Sequence, residues 1–289
     1  MLILSKRLHS IFLLRCFNDS FAVLFLFLAI YAYQKRQYTI GSLLYSWGLG
    51  IKMSLLLSLP AFGVILFLTT GIMGGLRQAS LMAQLQILIG LPFLQHDWKG
   101  YLTRAFEFSR QFFFKWTVNW RFIGEERFLS REFSIALLIG HVGVLALFAT
   151  KWLRPSGLSI PEIVKTATKG REPLGDIQSI VRSRITPTFV MTTVLSANAI
   201  GMLFARSLHY QFFAYLAWST PFLLWKSGIH PILQYVLWAA QEWAWNVSPS
   251  TDLSSKVVVV VLAWQVACAW HARQGAVMEE KPSTPRVDI

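Results

Sequence analysis

Nine stretches of this chain run 15 to 24 residues without a Lys, Arg, Asp or Glu: Ser20–Gln34, Gln37–Ile51, Met53–Leu76, Gln78–His96, Phe133–Thr150, Ile185–Ala205, Ser207–Trp225, Ser227–Gln241 and Val257–Ala272. A bilayer core about 30 Å thick is crossed by roughly 20 apolar residues of helix, and by fewer where flanking groups snorkel. The runs predict an all-α polytopic membrane protein with about nine transmembrane helices. Gln37–Leu76 spans 40 residues, about 60 Å as helix, which is two crossings. Lys52 is expected at a membrane face between them, and Pro60 permits a kink. Composition agrees: 54% of the residues are hydrophobic and only 14% are charged, against about a quarter in soluble domains. Such a chain cannot cover a globular surface with polar groups. Its apolar content excludes disorder, and two cysteines, Cys16 and Cys268, exclude a disulfide scaffold.

Residues 1–278 read as one transmembrane module, followed by a polar tail, 279–289. Counting crossings places Lys35–Arg36, Arg77, Lys226, the tail and a loop of about 151–186 on one side. That loop is irregular, with Pro155, Gly157, Pro161, Gly170, Pro173 and Gly175, and its seven cations make it the cytosolic candidate. The other side receives Met1–Arg15, Lys52, a loop of about 95–132, Arg206–His209 and Asn246–Lys256. Cations divide 14 to 13 between the two sides, so the excess opposite the cytosol needs a cause.

The long loop suggests one. His96–Glu132 holds seven cations and many rings. At helical spacing Phe106, Phe113 and Trp120 share a face, opposite Arg104, Gln111 and Lys115. That pattern predicts a helix lying in the membrane interface. Its cations serve either as lipid anchors or as a pocket for a lipid-borne phosphate, which suits the planar fork of Arg. Elsewhere, Asn18 and Asp19 read first as helix caps. His209 reads as interfacial, and Lys52 as either a snorkelling or a functional cation. Asn18-Asp19-Ser20 and Asn246-Val247-Ser248 fit the glycosylation sequon, and neither is expected to be used. No zinc site, phosphate-binding Gly-rich loop or nucleophile elbow is visible.

Four segments carry a resemblance: LSKRLHSIFLLRCFND (Leu4–Asp19), RAFEFSRQFFFKWTVNWRF (Arg104–Phe122), LFARSLHYQFFAYLAWSTPFLLW (Leu203–Trp225) and WAWNVSPST (Trp243–Thr251). Together they resemble the dolichyl-phosphate-mannose-dependent alpha-1,3-mannosyltransferases of the endoplasmic reticulum, over nearly the whole chain apart from the tail. The resemblance implies a GT-C-type glycosyltransferase, multi-pass in the endoplasmic reticulum membrane with its active face luminal. Its donor would be dolichyl-phosphate mannose, and its acceptor the dolichyl-diphosphate-linked pentamannosyl-chitobiose precursor. Membrane lipid is a further partner; nucleic acid, metal and cofactor are not implied. Members of that family carry an earlier membrane helix and an acidic luminal loop before the point matching Leu4, so an N-terminally truncated chain is expected and its catalytic base is assigned to no residue here.

Inversion from a beta donor to an alpha product implies one direct displacement. The acceptor hydroxyl needs a base. The departing phosphodiester needs cations where charge grows rather than a general acid. The expected donor-phosphate set is Arg104, Arg110, Lys115, Arg121, Arg206 and His209; the expected sugar-binding set is Glu107, Asn119, Trp116 and Trp120. The competing readings are a polytopic transporter, which would need ionisable residues at mid-span, and a noncatalytic membrane fragment.

Overall fold

A computed structural model describes residues 1–105, 107 and 113–272. Among these the chain is helical, with no strand. The helices are α1 (Lys6–His9), α2 (Asp19–Gln34), α3 (Tyr38–Ile51), α4 (Leu59–Ala105), α5 (Glu125–Leu129), α6 (Arg131–Trp152), α7 (Ile160–Thr168), α8 (Gln178–Arg184), α9 (Pro187–Phe204), α10 (Phe213–Ala217), α11 (Ser219–Lys226), α12 (Pro231–Asn246) and α13 (Asp252–His271). The protein is an all-α membrane protein. Among the described residues four helices are long and apolar enough to cross a bilayer, or five if the bent pair Lys6–Leu14 and Asp19–Gln34 forms one span. The expected nine runs thus do not become nine full-length spans. The run Ser207–Trp225 is divided between a turn at Tyr210–Phe212, α10 and α11.

Helices α2 and α3 form a tight antiparallel hairpin. Small residues let the two backbones approach: a Cβ on Gly41 would lie 2.3 Å from the Tyr33 ring, and one on Gly48 would lie 2.9 Å from Phe25 Cβ. The Tyr33 and Ser42 hydroxyls are 2.8 Å apart across the hairpin. Helix α9 lies at the centre of the bundle. Nearly every one of its residues is buried, and it packs on α2, α4, α6, α11 and α13. Helix α6, by contrast, buries only Leu137, Phe148, Lys151 and Trp152, and leaves an apolar flank outward.

Lys52 does separate two helical segments, in extended backbone (φ −149°, ψ 115°). Pro60 does not kink the next one. It occupies the first turn of α4, where its missing N–H leaves no bond unmade. The bend falls instead at Gly71 (φ 72°, ψ −176°), in the left-handed region that glycine alone adopts freely. Breaking a helix there frees backbone groups that need other partners. The loop after α7 and the start of α8 supply the partners. Ile72 N–H donates to Glu172 Oε1 at 2.8 Å, and Gln178 Nε2 donates to the Leu68 carbonyl at 2.9 Å. A second break, at Asp97 (φ −152°, ψ 85°), turns the chain back so that Tyr101 stacks on Phe93, with ring centres 5.6 Å apart.

Within the loop of about 151–186, Ser159 and Glu162 form a reciprocal capping box that starts α7. Hydrogen bonds from the Ser159 backbone and hydroxyl hold the Glu162 carboxyl below its ordinary value.

Replacing Gly71 tests the break. Gly71→Ala places a Cβ 2.9 Å from Glu172 Oε1 and strains the backbone by about 1–2 kcal/mol. The purified variant is expected to unfold at lower temperature, and Glu172→Ala to lower it by less. A Gly71→Ala midpoint equal to wild type would contradict this account of the bend.

Candidate functional site

Five segments far apart in sequence meet at one end of the bundle. The N-terminal segment is tied to α12: Ser5 Oγ donates to both Glu242 carboxylate oxygens at 3.1 and 2.9 Å, and Arg7 N–H donates to Glu242 Oε1 at 3.2 Å. Asn246 Nδ2 closes the knot, donating to the same carboxylate at 3.0 Å. The Arg7 guanidinium stands 4.6 Å from the centre of the Tyr210 ring, and the Tyr210 hydroxyl donates to the Val247 carbonyl at 2.8 Å.

The segment after residue 112 is stitched to the segment after α9. Val118 N–H donates to the Leu208 carbonyl at 2.9 Å. Asn119 Oδ1 accepts from Leu208 N–H at 2.8 Å and from the Thr117 hydroxyl at 2.8 Å, while its Nδ2 donates to the Ala205 carbonyl at 2.7 Å. Thr117, Val118 and Asn119 are buried. These bonds explain why the expected interfacial helix does not continue here. Residues 113–123 are two single turns, Phe114–Trp116 and Arg121–Ile123, flanked by extended residues, with Trp120 in the left-handed region at φ 53°. Phe113, Lys115 and Trp120 therefore do not share a regular helix; Phe106 and Gln111, also part of that pattern, lie outside the described residues.

Between these segments lies a cavity of about 640 Å³, lined by Arg15, Phe17, Lys52, Met53, Ser54, Phe113, Trp116 and His209–Phe212. Arg15, Lys52 and His209 line it together with the aromatic side chains of Phe17, Phe113, Trp116, Tyr210 and Phe212. None of its lining residues is a carboxylate. Lys52 is held from behind. Its Nζ lies 3.3 Å from Asp19 Oδ2 and donates to Asn18 Oδ1 at 3.1 Å. Asp19 is completely buried. The first reading of Asn18 and Asp19 as caps is corrected by this geometry: α2 has no side-chain cap bond, and both residues face Lys52 instead. An aromatic pocket that also carries cations suits an anionic head joined to an apolar body. Among the described residues no group of three or more His, Cys, Asp or Glu side chains gathers to hold a metal ion.

The model of the ALG3 protein family matches residues 1–255. The chain belongs to that family. Relatives named Dol-P-Man:Man(5)GlcNAc(2)-PP-Dol alpha-1,3-mannosyltransferase include one from Neurospora crassa, 58% identical over 93% of this chain and 62% of its own length. Another, from Scheffersomyces stipitis, is 38% identical over 96% of this chain and 65% of its own. The human relative of that name is 37% identical over 93% and 60%. The chain thus spans about three fifths of the length of these curated relatives. No solved structure matches it.

Of the residues expected from the resemblance, Trp116 and His209 line the cavity. Lys115, next to them, has its ammonium 5.2 Å from the Trp116 ring centre. Arg121 and Arg206 do not line the cavity. Arg121 N–H donates to Ser255 Oγ at 2.7 Å and its guanidinium to the Phe114 carbonyl at 3.3 Å, while Arg206 donates to Ser134 Oγ at 2.8 Å. Trp120 packs edge-on against Phe133, with ring centres 5.7 Å apart. Asn119 has its amide committed to the backbone bonds above. Arg104 pairs with Glu107 at 3.5 Å on an exposed surface. Arg110 lies outside the described residues.

Sequence reasoning misses Arg15 as a site residue and does not choose between roles for Lys52. A signal exists for the Lys52–Asp19 pair: two helices of 16 and 14 residues joined by a short turn must bring the start of the first beside the end of the second.

Asn119→Ala is expected to cost about 2–4 kcal/mol of stability, because it orphans a buried backbone N–H and carbonyl. Limited proteolysis should then cut within 113–123 faster than in wild type. An unchanged cleavage rate and melting midpoint would remove Asn119 as the stitch.

Proposed function

We propose that this chain works in moving mannose from dolichyl-phosphate mannose to the dolichyl-diphosphate-linked pentamannosyl-chitobiose precursor. The linkage is alpha-1,3, formed with inversion at the endoplasmic reticulum membrane on its luminal face. The relatives' names supply the reaction. The observation that carries the placement is the cavity whose lining combines Arg15, Lys52 and His209 with aromatic rings. In this reading the donor phosphate sits against those three side chains, with Lys115, Arg121 and Arg206 completing the positive end of the bundle. Trp116 and its aromatic neighbours flank the sugar or the first isoprene units.

The chemistry asks for what this lining offers. As the bond from the anomeric carbon to phosphate oxygen breaks, negative charge collects on the departing phosphodiester. Fixed cations stabilise it most when they need no reorganisation. The acceptor hydroxyl must also lose a proton to a base, and none of the residues lining the cavity is a carboxylate.

The GT-C architecture with about nine crossings belongs to the same proposal. Contacts between elements support it. Lys52 at the end of α3 meets Asn18 before α2, and Ser46 Oγ on α3 donates to the Met82 carbonyl on the returning limb of α4. Short helices such as α3, with 14 residues, would then span with the help of flanking extended backbone and a locally thin bilayer.

Transfer of labelled mannose from dolichyl-phosphate mannose in microsomes tests the reading. Lys52→Gln and Arg15→Gln should each lower the rate about tenfold or more, the scale of a lost hydrogen bond between charged groups, and the five-mannose intermediate should accumulate. Wild-type rates from both variants at normal expression would remove the cavity from the reaction.

A further inference from the structure

The pair behind the cavity wall is unusual for a bundle interior. Asp19 is completely buried, whereas the Lys52 side chain keeps 24% of its exposure and reaches the cavity. Taking a carboxylate out of water is costly, and one nearby cation offsets that cost only at short range. An apolar pair of similar volume would pack the hairpin without that cost. Holding the pair therefore has a use other than packing, and its location identifies the use.

A lysine at the end of a helix has a flexible four-carbon stem and would ordinarily turn toward water. Here its ammonium is fixed from behind at two points, Asp19 Oδ2 at 3.3 Å and Asn18 Oδ1 at 3.1 Å. Tyr215 lies beside Asp19 and is itself buried, so the carboxylate is enclosed. An ammonium has three hydrogens to donate. With Asn18 taking one and Asp19 setting the charge in place, donor capacity remains toward the cavity.

We propose that Asp19 and Asn18 are positioning residues for Lys52: they hold its ammonium at the cavity wall, where it meets the phosphate of the lipid-linked donor. The inference rests on reading the cavity as the donor-phosphate site, and it assigns the specific work of orientation to a buried carboxylate that touches no substrate. Fixing the ammonium beforehand removes the rotamer entropy that a free lysine would lose on binding.

Equilibrium binding of dolichyl phosphate in detergent micelles to the protein tests it, together with the melting midpoint of each variant. Asp19→Asn and Lys52→Gln are each expected to weaken binding about tenfold. The double variant should bind no worse than Lys52→Gln alone, because Asp19 acts through Lys52. Stability should follow a different pattern. Lys52→Gln strands the buried Asp19 charge and lowers the midpoint; adding Asp19→Asn should restore the midpoint without restoring binding. A further tenfold loss in the double variant, or wild-type binding by Asp19→Asn beside a defective Lys52→Gln, would overturn the positioning role while leaving the cavity reading intact. Wild-type binding by Lys52→Gln would sink both. Should Asp19→Asn fail to fold, Asn18→Ala removes the second tether from an exposed position. It is expected to weaken binding about threefold, and unchanged binding there would also overturn the proposal.

Discussion

A buried backbone group that loses its helical partner must find another, and this constraint shapes where the helices of the bundle break and end. At Gly71 the freed carbonyl of Leu68 and N–H of Ile72 find Gln178 and Glu172. At the end of α13 the carbonyls of Ala269, Trp270 and Ala272 converge on the ammonium of Lys151, which also suits the negative end of a helix dipole. These devices lie at the end of the bundle opposite the cavity. They fix where the helices begin and stop.

The cavity end is organised by the same demand met in another way. Segments 113–123 and 205–212 have little regular structure, yet their buried backbone is satisfied through Asn119, Ser255 and each other. Irregular backbone is thereby held firmly enough to carry side chains at set positions. Trp116 on the first segment and His209 on the second face one space because Asn119 ties the two together. An interfacial helix over residues 113–123 would have pointed its rings along one stripe. The two short turns present Phe113 and Trp116 to the cavity and leave Arg121 to brace α13.

How much of this is legible in the amino-acid sequence depends on the kind of information each feature uses. Apolar runs report burial in lipid, so the helical nature of α6, α9 and α13 can be read directly. The break at Lys52 is also legible, because an isolated charge within 40 apolar residues has few places to go. A bend near Pro60 is the wrong expectation: proline is tolerated in a first turn, and the strain belongs to a glycine whose φ is set by the Glu172 loop about a hundred residues away. The helical stripe in 113–123 fails for a related reason. Periodicity measures a local preference, and here Asn119 pairs with Ala205 and Leu208. The long loop combines seven cations with many rings, which draws the expected phosphate site there, although cavity-lining Arg15 and Lys52 come from other segments.

That last contrast bears on how a lipid-phosphate site is built. Density of charge in a loop attracts anionic surfaces in general, and exposed pairs such as Arg104 with Glu107 contribute little beyond that. Selecting one phosphate requires a cation whose position does not depend on the ligand. Lys52 meets this requirement because the geometry of the hairpin supplies it. The lengths of α2 and α3 set Asp19 beside it, and Gly41 and Gly48 allow the close approach that keeps the register. The small residues inside the hairpin and the cation at its open end are therefore parts of one arrangement. A larger side chain at either glycine would push the helices apart and shift the ammonium relative to Arg15 and His209, although neither glycine lines the cavity.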